Sequence, residues 1–220
     1  LSDDMESDPY GLNLHPERPQ KILVINLRSG SLKYRFFDTD DESNNVEGHV
    51  EWIGRPNAIQ THATTRGETA YDLGEIDHRQ ALEIAMERLT DPKVGVMGSA
   101  AEITAVGHRV LYGGDKYSTA ALIDDEVLQH IHDHAGMAPW HMPLHAMAIE
   151  WVREVMPDVP QVAVFDTAFH QTMPDYAYRY ALPESLYTED GLRRYGFHGP
   201  SHQYVGLMAA TYLKQRFSRL

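Results

Sequence analysis

The chain has no cysteine. That absence excludes a disulfide scaffold, an iron–sulfur cluster, a cysteine zinc site and a thiol nucleophile. Cations are scarce as well: 19 Lys and Arg stand against 32 Asp and Glu, a formal net charge of −13. Sequence-independent nucleic-acid binding needs clustered cations to neutralise phosphates, so nucleic acid is not an expected partner. No apolar run approaches the roughly 18 residues of a membrane span. The acidic start, Leu1-Ser-Asp-Asp-Met-Glu-Ser-Asp-Pro9, lacks the apolar centre of a secretion signal. The expectation is a soluble, cytoplasmic protein without a membrane partner. What is present is 220 residues with 42% apolar content, enough for a core in one large domain or one and a half.

Residues 1–19, rich in Asp, Pro and Ser, read as a disordered acidic leader. Lys21-Ile-Leu-Val-Ile-Asn26 reads as a buried strand. A Ser29-Gly-Ser31 turn and the alternating Leu32-Lys-Tyr-Arg-Phe-Phe37 complete a hairpin with it, and 46–53 alternates again as a third strand. Residues 54–75 show no clear period. Leu82, Ala85, Met86 and Leu89 place an amphipathic helix over 78–90. A strand over 104–110 leads to the Gly113-Gly114 loop, and Asp124-Asp125-Glu126 begins a helix that ends near Gly136. A further helix carries Leu144 to Val155 and stops before Pro157, and 161–166 is a buried strand ending in an acid. Residues 203–217 look helical. Three strands in a row followed by helix–strand–helix–helix–strand describe an α/β domain whose mixed sheet opens in a three-strand meander.

Four segments have the residue types of a chemical site. In Asn26-Leu-Arg-Ser-Gly-Ser-Leu-Lys33, small residues let backbone N–H groups approach an anion, and Lys33 adds a point charge. The Gly-Lys-Ser/Thr ending of a Walker A loop is absent, and an ordinary hairpin turn accounts for the same residues. In Gly107-His-Arg-Val-Leu-Tyr-Gly-Gly114, Arg109 at a strand end can grip a carboxylate or phosphate, or simply face solvent. Asp166 closes an apolar strand, a place for a magnesium ligand in open α/β sheets, or for a helix cap. In Tyr195-Gly-Phe-His198-Gly-Pro-Ser-His202, a histidine between glycines can donate to developing charge, or lie in a solvent loop. His130, His132 and His134 lack the glutamate of a metalloprotease motif and read as a solvated helix face.

In this order and spacing the four segments resemble the acetate kinase family, which includes propionate and butyrate kinases. The resemblance runs from about Lys21 to about Lys214. It is closest in Ala105-Val-Gly-His-Arg-Val110, in Gln161 to Pro174 and in Arg193-Arg-Tyr-Gly-Phe-His-Gly199. It implies the ribonuclease-H-like fold of the actin, Hsp70 and sugar-kinase superfamily. It also implies direct in-line transfer of the γ-phosphoryl of ATP to acetate or another short-chain carboxylate, with Mg²⁺ or Mn²⁺. By motif, Asn26, Ser29, Ser31 and Lys33 would hold the nucleotide phosphates, and Asn26 and Asp166 the metal. Arg109, Asp166 and His198 would be catalytic. Arg109, Phe197 and His141 would bind the acyl substrate, His141 lying in Ala-Pro-Trp-His-Met-Pro.

Departures from the family pattern cluster near these positions. Arg28 stands for Gly, Gly30 for Ser, Tyr112 for His, and Pro200 for Thr. Trp140, Met142 and His145 replace Leu, Asn and Asn. The resemblance implies a first lobe over 20–170 and only the opening of a second over 171–220. The expectation is therefore exposed apolar surface at Tyr204, Leu207, Met208, Tyr212 and Leu213. It further implies a partner: a second copy of the chain or a completing chain. The alternative reading is a catalytically inactive first-lobe module that binds or interacts.

Overall fold

The computed structural model describes residues 19–217, and the leader read at 1–19 therefore lies, apart from Pro19, outside the described residues. The chain divides into two compact units. The first comprises 19–112 and 120–164, and the second comprises 113–119 and 165–217.

The first unit is built on eight strands: β1 (Lys21–Arg28), β2 (Ser31–Asp38), β3 (Val46–Glu51), β4 (Ala58–Thr64), β5 (Gly67–Gly74), β6 (Ala105–Val110), β7 (Ala121–Leu122) and β8 (Gln161–Phe165). Their order across the sheet is β5-β4-β3-β2-β1-β6-β8-β7. Each strand from β1 to β5 pairs antiparallel with the next, β6 joins β1 in parallel, and β7 is antiparallel to β8. The mixed sheet thus opens in a meander, as expected, but the meander runs for five strands rather than three. The added β4 and β5 fill the stretch without clear period. On β4 the fully buried positions include Gln60 and His62, so its inward face is polar, while β5 is exposed along most of its length. Neither gives the apolar alternation by which a half-buried strand is recognised.

Alternation is clean where the core forms. Leu23, Ile25 and Leu27 of β1, Leu32 and Phe36 of β2, and Val46 and Val50 of β3 are buried on one face. They pack with Ala81, Leu82, Ala85 and Leu89 of α1 (His78–Thr90) and Ala148, Trp151 and Val152 of α3 (Met142–Val155). Asp77 and Gln80 form a capping box at the start of α1. The Asp124 side chain accepts the Val127 N–H at the start of α2 (Asp125–Asp133), as its acidic first turn predicts. His130 departs from the expected solvated face. It is buried, with its ring 4.1 Å from that of His134, while His132 pairs outward with Glu150.

Two buried polar networks cross this core. Beneath α1, the Tyr34 hydroxyl meets His62 Nδ1 at 2.9 Å and accepts Gln60 Nε2 at 2.9 Å. Arg88 donates to Gln60 Oε1 at 3.2 Å and stacks on Tyr71. Burial pushes the Tyr34 hydroxyl up and holds the His62 imidazole down, so both stay neutral. Gly48 faces the Tyr34 ring so closely that any side chain there would overlap it. Between β6 and β8, His108 Nε2 meets Gln161 Oε1 at 2.8 Å, and burial pushes this imidazole down to about 4. Neutral His108 must carry its proton on Nε2 to donate to the amide oxygen.

The second unit has little regular structure: α4 (Asp175–Tyr178), α5 (Glu184–Thr188) and α6 (Gly199–Leu213), with a 3₁₀ turn over Ala168–Thr172. Helix α6 begins four residues before the expected start, because Gly199-Pro200 fills its first turn instead of closing a loop. Of the apolar residues expected at the surface, Tyr204, Tyr212 and Leu213 are exposed, as is Val205, while Leu207 and Met208 are half-buried. Among the described residues no helix is long and apolar enough to cross a membrane.

Candidate functional site

The first unit builds its candidate groups through strand register. Asn26 on β1 pairs with Lys33 on β2, and Lys33 in turn with His49 on β3. All three point away from the apolar core, because their neighbours Ile25, Leu32 and Val50 point into it. Parallel pairing of Ile25 with His108 carries the row onto β6, where Arg109 Nη1 donates to Asn26 Oδ1 at 3.2 Å. A polar row Arg109–Asn26–Lys33–His49 thus crosses four adjacent strands. His49 was not among the candidates from sequence, since only the register aligns it with the others.

Further along β1 and β2 their hairpin closes in the two-residue loop Ser29-Gly30. His78 Nε2 bonds the Ser29 carbonyl at 3.1 Å, and the Ile53 N–H donates to the Gly30 carbonyl at 3.1 Å. Both carbonyls are therefore turned into protein. The Ser29 and Ser31 hydroxyls have no partner among the described residues, and nothing stands within 4 Å of a side chain built at Gly30. A turn that engages its acceptors and leaves its hydroxyls open is suited to an anion. His141 precedes α3 and is half-buried, with its ring centroid 6.4 Å from that of His145. The Leu111 N–H donates to His145 Nδ1 at 3.3 Å, so His145 holds the backbone just beyond Arg109. Tyr112 is buried against the His134 ring.

The second unit holds its groups differently. Asp166 is 1% exposed and does not cap a helix. Its Oδ2 accepts the His198 N–H at 3.4 Å, a long contact, and lies 3.5 Å from His198 Nδ1. His198 adopts a left-handed backbone at φ 58, an uncommon conformation for a residue with a side chain, and presents its ring to solvent. The surrounding loop is pinned from two sides, and the Gly113 loop is tied to the same strand end. His170 Nε2 donates to the Phe197 carbonyl at 2.9 Å, the Gly199 N–H donates to the Asp166 carbonyl at 2.9 Å, and Thr167 Oγ1 accepts the Gly113 N–H at 3.0 Å. A Cβ at Gly199 would stand 2.5 Å from the Asp166 carbonyl oxygen, and one at Gly196, already at φ 74, 2.5 Å from the His170 ring. Phe197 is exposed beside His198.

The donor chemistry suits magnesium better than a soft metal. Among the described residues no cluster of three or more His, Asp or Glu side chains could hold a metal by itself. Mg²⁺ is commonly held by one or two carboxylates together with substrate phosphates, and Asp166 offers a hard oxygen at a strand end. The Asn26 carbonyl oxygen receives Arg109, which leaves it a second lone pair.

The family model described as the acetokinase family matches residues 21–220. Acetate kinase of Clostridium botulinum (strain Okra / Type B1) is 46% identical over 195 residues, covering 89% of this chain and 49% of its own length. Acetate kinase of Clostridium acetobutylicum is 44% identical over 200 residues, 91% of this chain and 50% of its own. The chain thus spans about half the length of the curated relatives it matches. Crystal structures of Porphyromonas gingivalis acetate kinase and of a propionate kinase from Francisella tularensis each superpose with a TM-score of 0.79, at 36% and 35% identity, over 90% of this chain and 50% of theirs. The mixed α/β architecture is that of the actin, Hsp70 and sugar-kinase superfamily, to which acetate kinase structures belong. Sequence and fold agree over nearly all of the described residues, and the chain belongs to the acetokinase family.

Proposed function

We propose that this chain carries the acyl- and phosphate-binding groups of a cytoplasmic carboxylate kinase. The enzyme transfers the γ-phosphoryl of ATP in line to acetate, giving ADP and acetyl phosphate. The observation that carries the reading is the Arg109–Asn26 contact, set in a polar row beside a turn with open serine hydroxyls. Arg109 grips the acceptor carboxylate and then the charge that spreads over the transferring phosphoryl, which a guanidinium fork matches in shape. Ser29, Ser31 and Lys33 hold the nucleotide phosphates. His198 and His141 donate to the equatorial oxygens, and Phe197 walls the acyl pocket. Asp166 and Asn26 are the residues that would hold Mg²⁺ or Mn²⁺, which would supply charge neutralisation at the phosphates. Residues 20–170 are read as the first lobe and 171–220 as the opening of the second.

The test is acyl hydroxamate formation from ATP, Mg²⁺, acetate and hydroxylamine. Product that disappears in Arg109→Ala is the expected result. No product above a blank, where a full-length acetate kinase works, overturns autonomous turnover. Replacing acetate by propionate or butyrate in the same assay ranks the acceptors. A second reading, a catalytically silent binding module of the same fold, is favoured by the exposed Tyr204, Val205, Tyr212 and Leu213 of α6. Nucleotide binding without hydroxamate would support it.

A further inference from the structure

Several cations in the first unit have carboxylate partners. Lys21 pairs with Glu102, Arg35 with Glu47, Arg79 with Glu154 and Arg153 with Asp125. Arg28 and Lys33 are exceptions. Both are exposed, and neither side chain makes an ion pair or hydrogen bond among the described residues. They stand on adjacent strands of the same open sheet face. His49 extends the row by one more strand, opposite Lys33 and close enough to Arg28 to feel its charge. One register step further along this face the same kind of row is neutralised, since Arg35 is paired with Glu47 on β3. In a chain of net charge −13, cations left to converge beside a turn with open hydroxyls mark a surface suited to an anion.

We propose that His49 is a further substrate-contacting residue: in its protonated form it joins Lys33 and Arg28 in holding the outer phosphate groups of a polyphosphate ligand. The inference rests on the reading of the Ser29–Lys33 turn as the phosphate end of the site. Neighbouring strands lie about 4.8 Å apart, so the Lys33 and His49 side chains stand close enough to engage successive phosphates of one chain. The groups facing His49 are known from each side. Glu51 Oε1 lies 3.9 Å from its Nδ1 and, with Glu47 on the same strand, favours the cation. Burial, then Lys33 on β2 and Arg28 on β1, opposes it, and on β4 the residue opposite is Thr61, which does not titrate. Burial prevails and holds the His49 imidazole below its ordinary value. An anion reverses that balance by screening Lys33 and Arg28 and adding an acceptor, so binding draws in a proton. Affinity then rises as pH falls through the imidazole range, tenfold for each unit by which the anion raises the His49 pKa.

The experiment follows histidine ring resonances of the 220-residue chain during titration with inorganic tripolyphosphate from pH 5.5 to 8.5. The His49 signal is assigned by its loss in His49→Gln, which also subtracts the pH dependence of the ligand itself. The expected result is a His49 titration moved upward at saturation, with affinity about three- to tenfold higher at pH 5.5 than at pH 8.5 beyond that of His49→Gln. Lys33→Met should weaken binding at every pH. An unmoved His49 titration and the same pH dependence in His49→Gln, while Lys33→Met still weakens binding, overturns the role of His49 and leaves the phosphate turn standing. No binding to the unsubstituted chain, or binding untouched by Lys33→Met, overturns both.

Discussion

The two units hold their chemical groups by opposite means. In the first, Arg109, Asn26, Lys33 and His49 are placed by hydrogen-bonded register over a packed face, and each stands where its strand puts it. In the second, Asp166 directly follows strand β8, while Phe197 and His198 are placed by a loop without regular structure, and precision comes from close approach at Gly196 and Gly199 and from bonds to His170 and Asp166. A row built on a sheet fails only when the sheet fails. A loop built on glycines can fail alone.

That difference can be broken from either side. The largest effect is expected for Gly48→Ala, whose methyl would enter the buried Tyr34 ring. It should cost about 3 kcal/mol in urea unfolding, near the upper range for overpacking, and should disperse the Arg109–Asn26–Lys33 row with the sheet. Gln161→Leu comes next, at about 2 kcal/mol, because it leaves the buried Nε2–H of His108 unsatisfied. His108 sharpens the comparison through pH as well. Its imidazole titrates near 6.5 when unfolded and is held down to about 4 when folded, so the unfolded chain takes up the proton first. Stability should be full above pH 6.5 and fall as pH drops towards 4, by up to about 1.4 kcal/mol per unit from this group. His108→Gln should flatten that slope.

Gly199→Ala should do the reverse of Gly48→Ala. Its methyl meets the Asp166 carbonyl, so hydrogen exchange should speed up at Gly199 and across the His198 loop. The unfolding midpoint of the sheet should stay within about 0.5 kcal/mol of its original position, as for changes away from the core. A small effect is also expected for Arg35→Ala, which removes an exposed pair with Glu47 and should cost below about 1 kcal/mol. An Arg35→Ala loss as large as that of Gln161→Leu would show that the open face contributes to stability.

The first three strands, α1 and α3 are legible in the sequence because each buries an apolar pattern with the period of its element, and β8 because it is a short, mostly apolar run. Asn26, Arg109, Asp166 and His198 stand out in the sequence as candidates because of their residue types beside turn and glycine signals. Strand β4 is not, since Gln60 and His62 occupy its inward face to satisfy Tyr34 and Arg88, and these partners come from β2 and α1. The burial of His130 is hidden for a similar reason: its partners depend on a packed helix pair. His49 is invisible until β2 and β3 are aligned, because nothing local to Val46-Glu-Gly-His-Val50 distinguishes it from any half-exposed strand histidine.

The five-strand meander also has a consequence for how the chain reaches this structure. Every pairing from β1 to β5 joins neighbours in sequence through short loops, so each closes at small entropic cost as soon as both strands exist. Strand β6 must instead find β1 across the whole intervening meander and α1. The Ser29-Gly30 turn and the row as far as His49 can therefore assemble early during synthesis, and Arg109 joins the row last, completing the contact with Asn26 only when the slow, parallel half of the sheet docks.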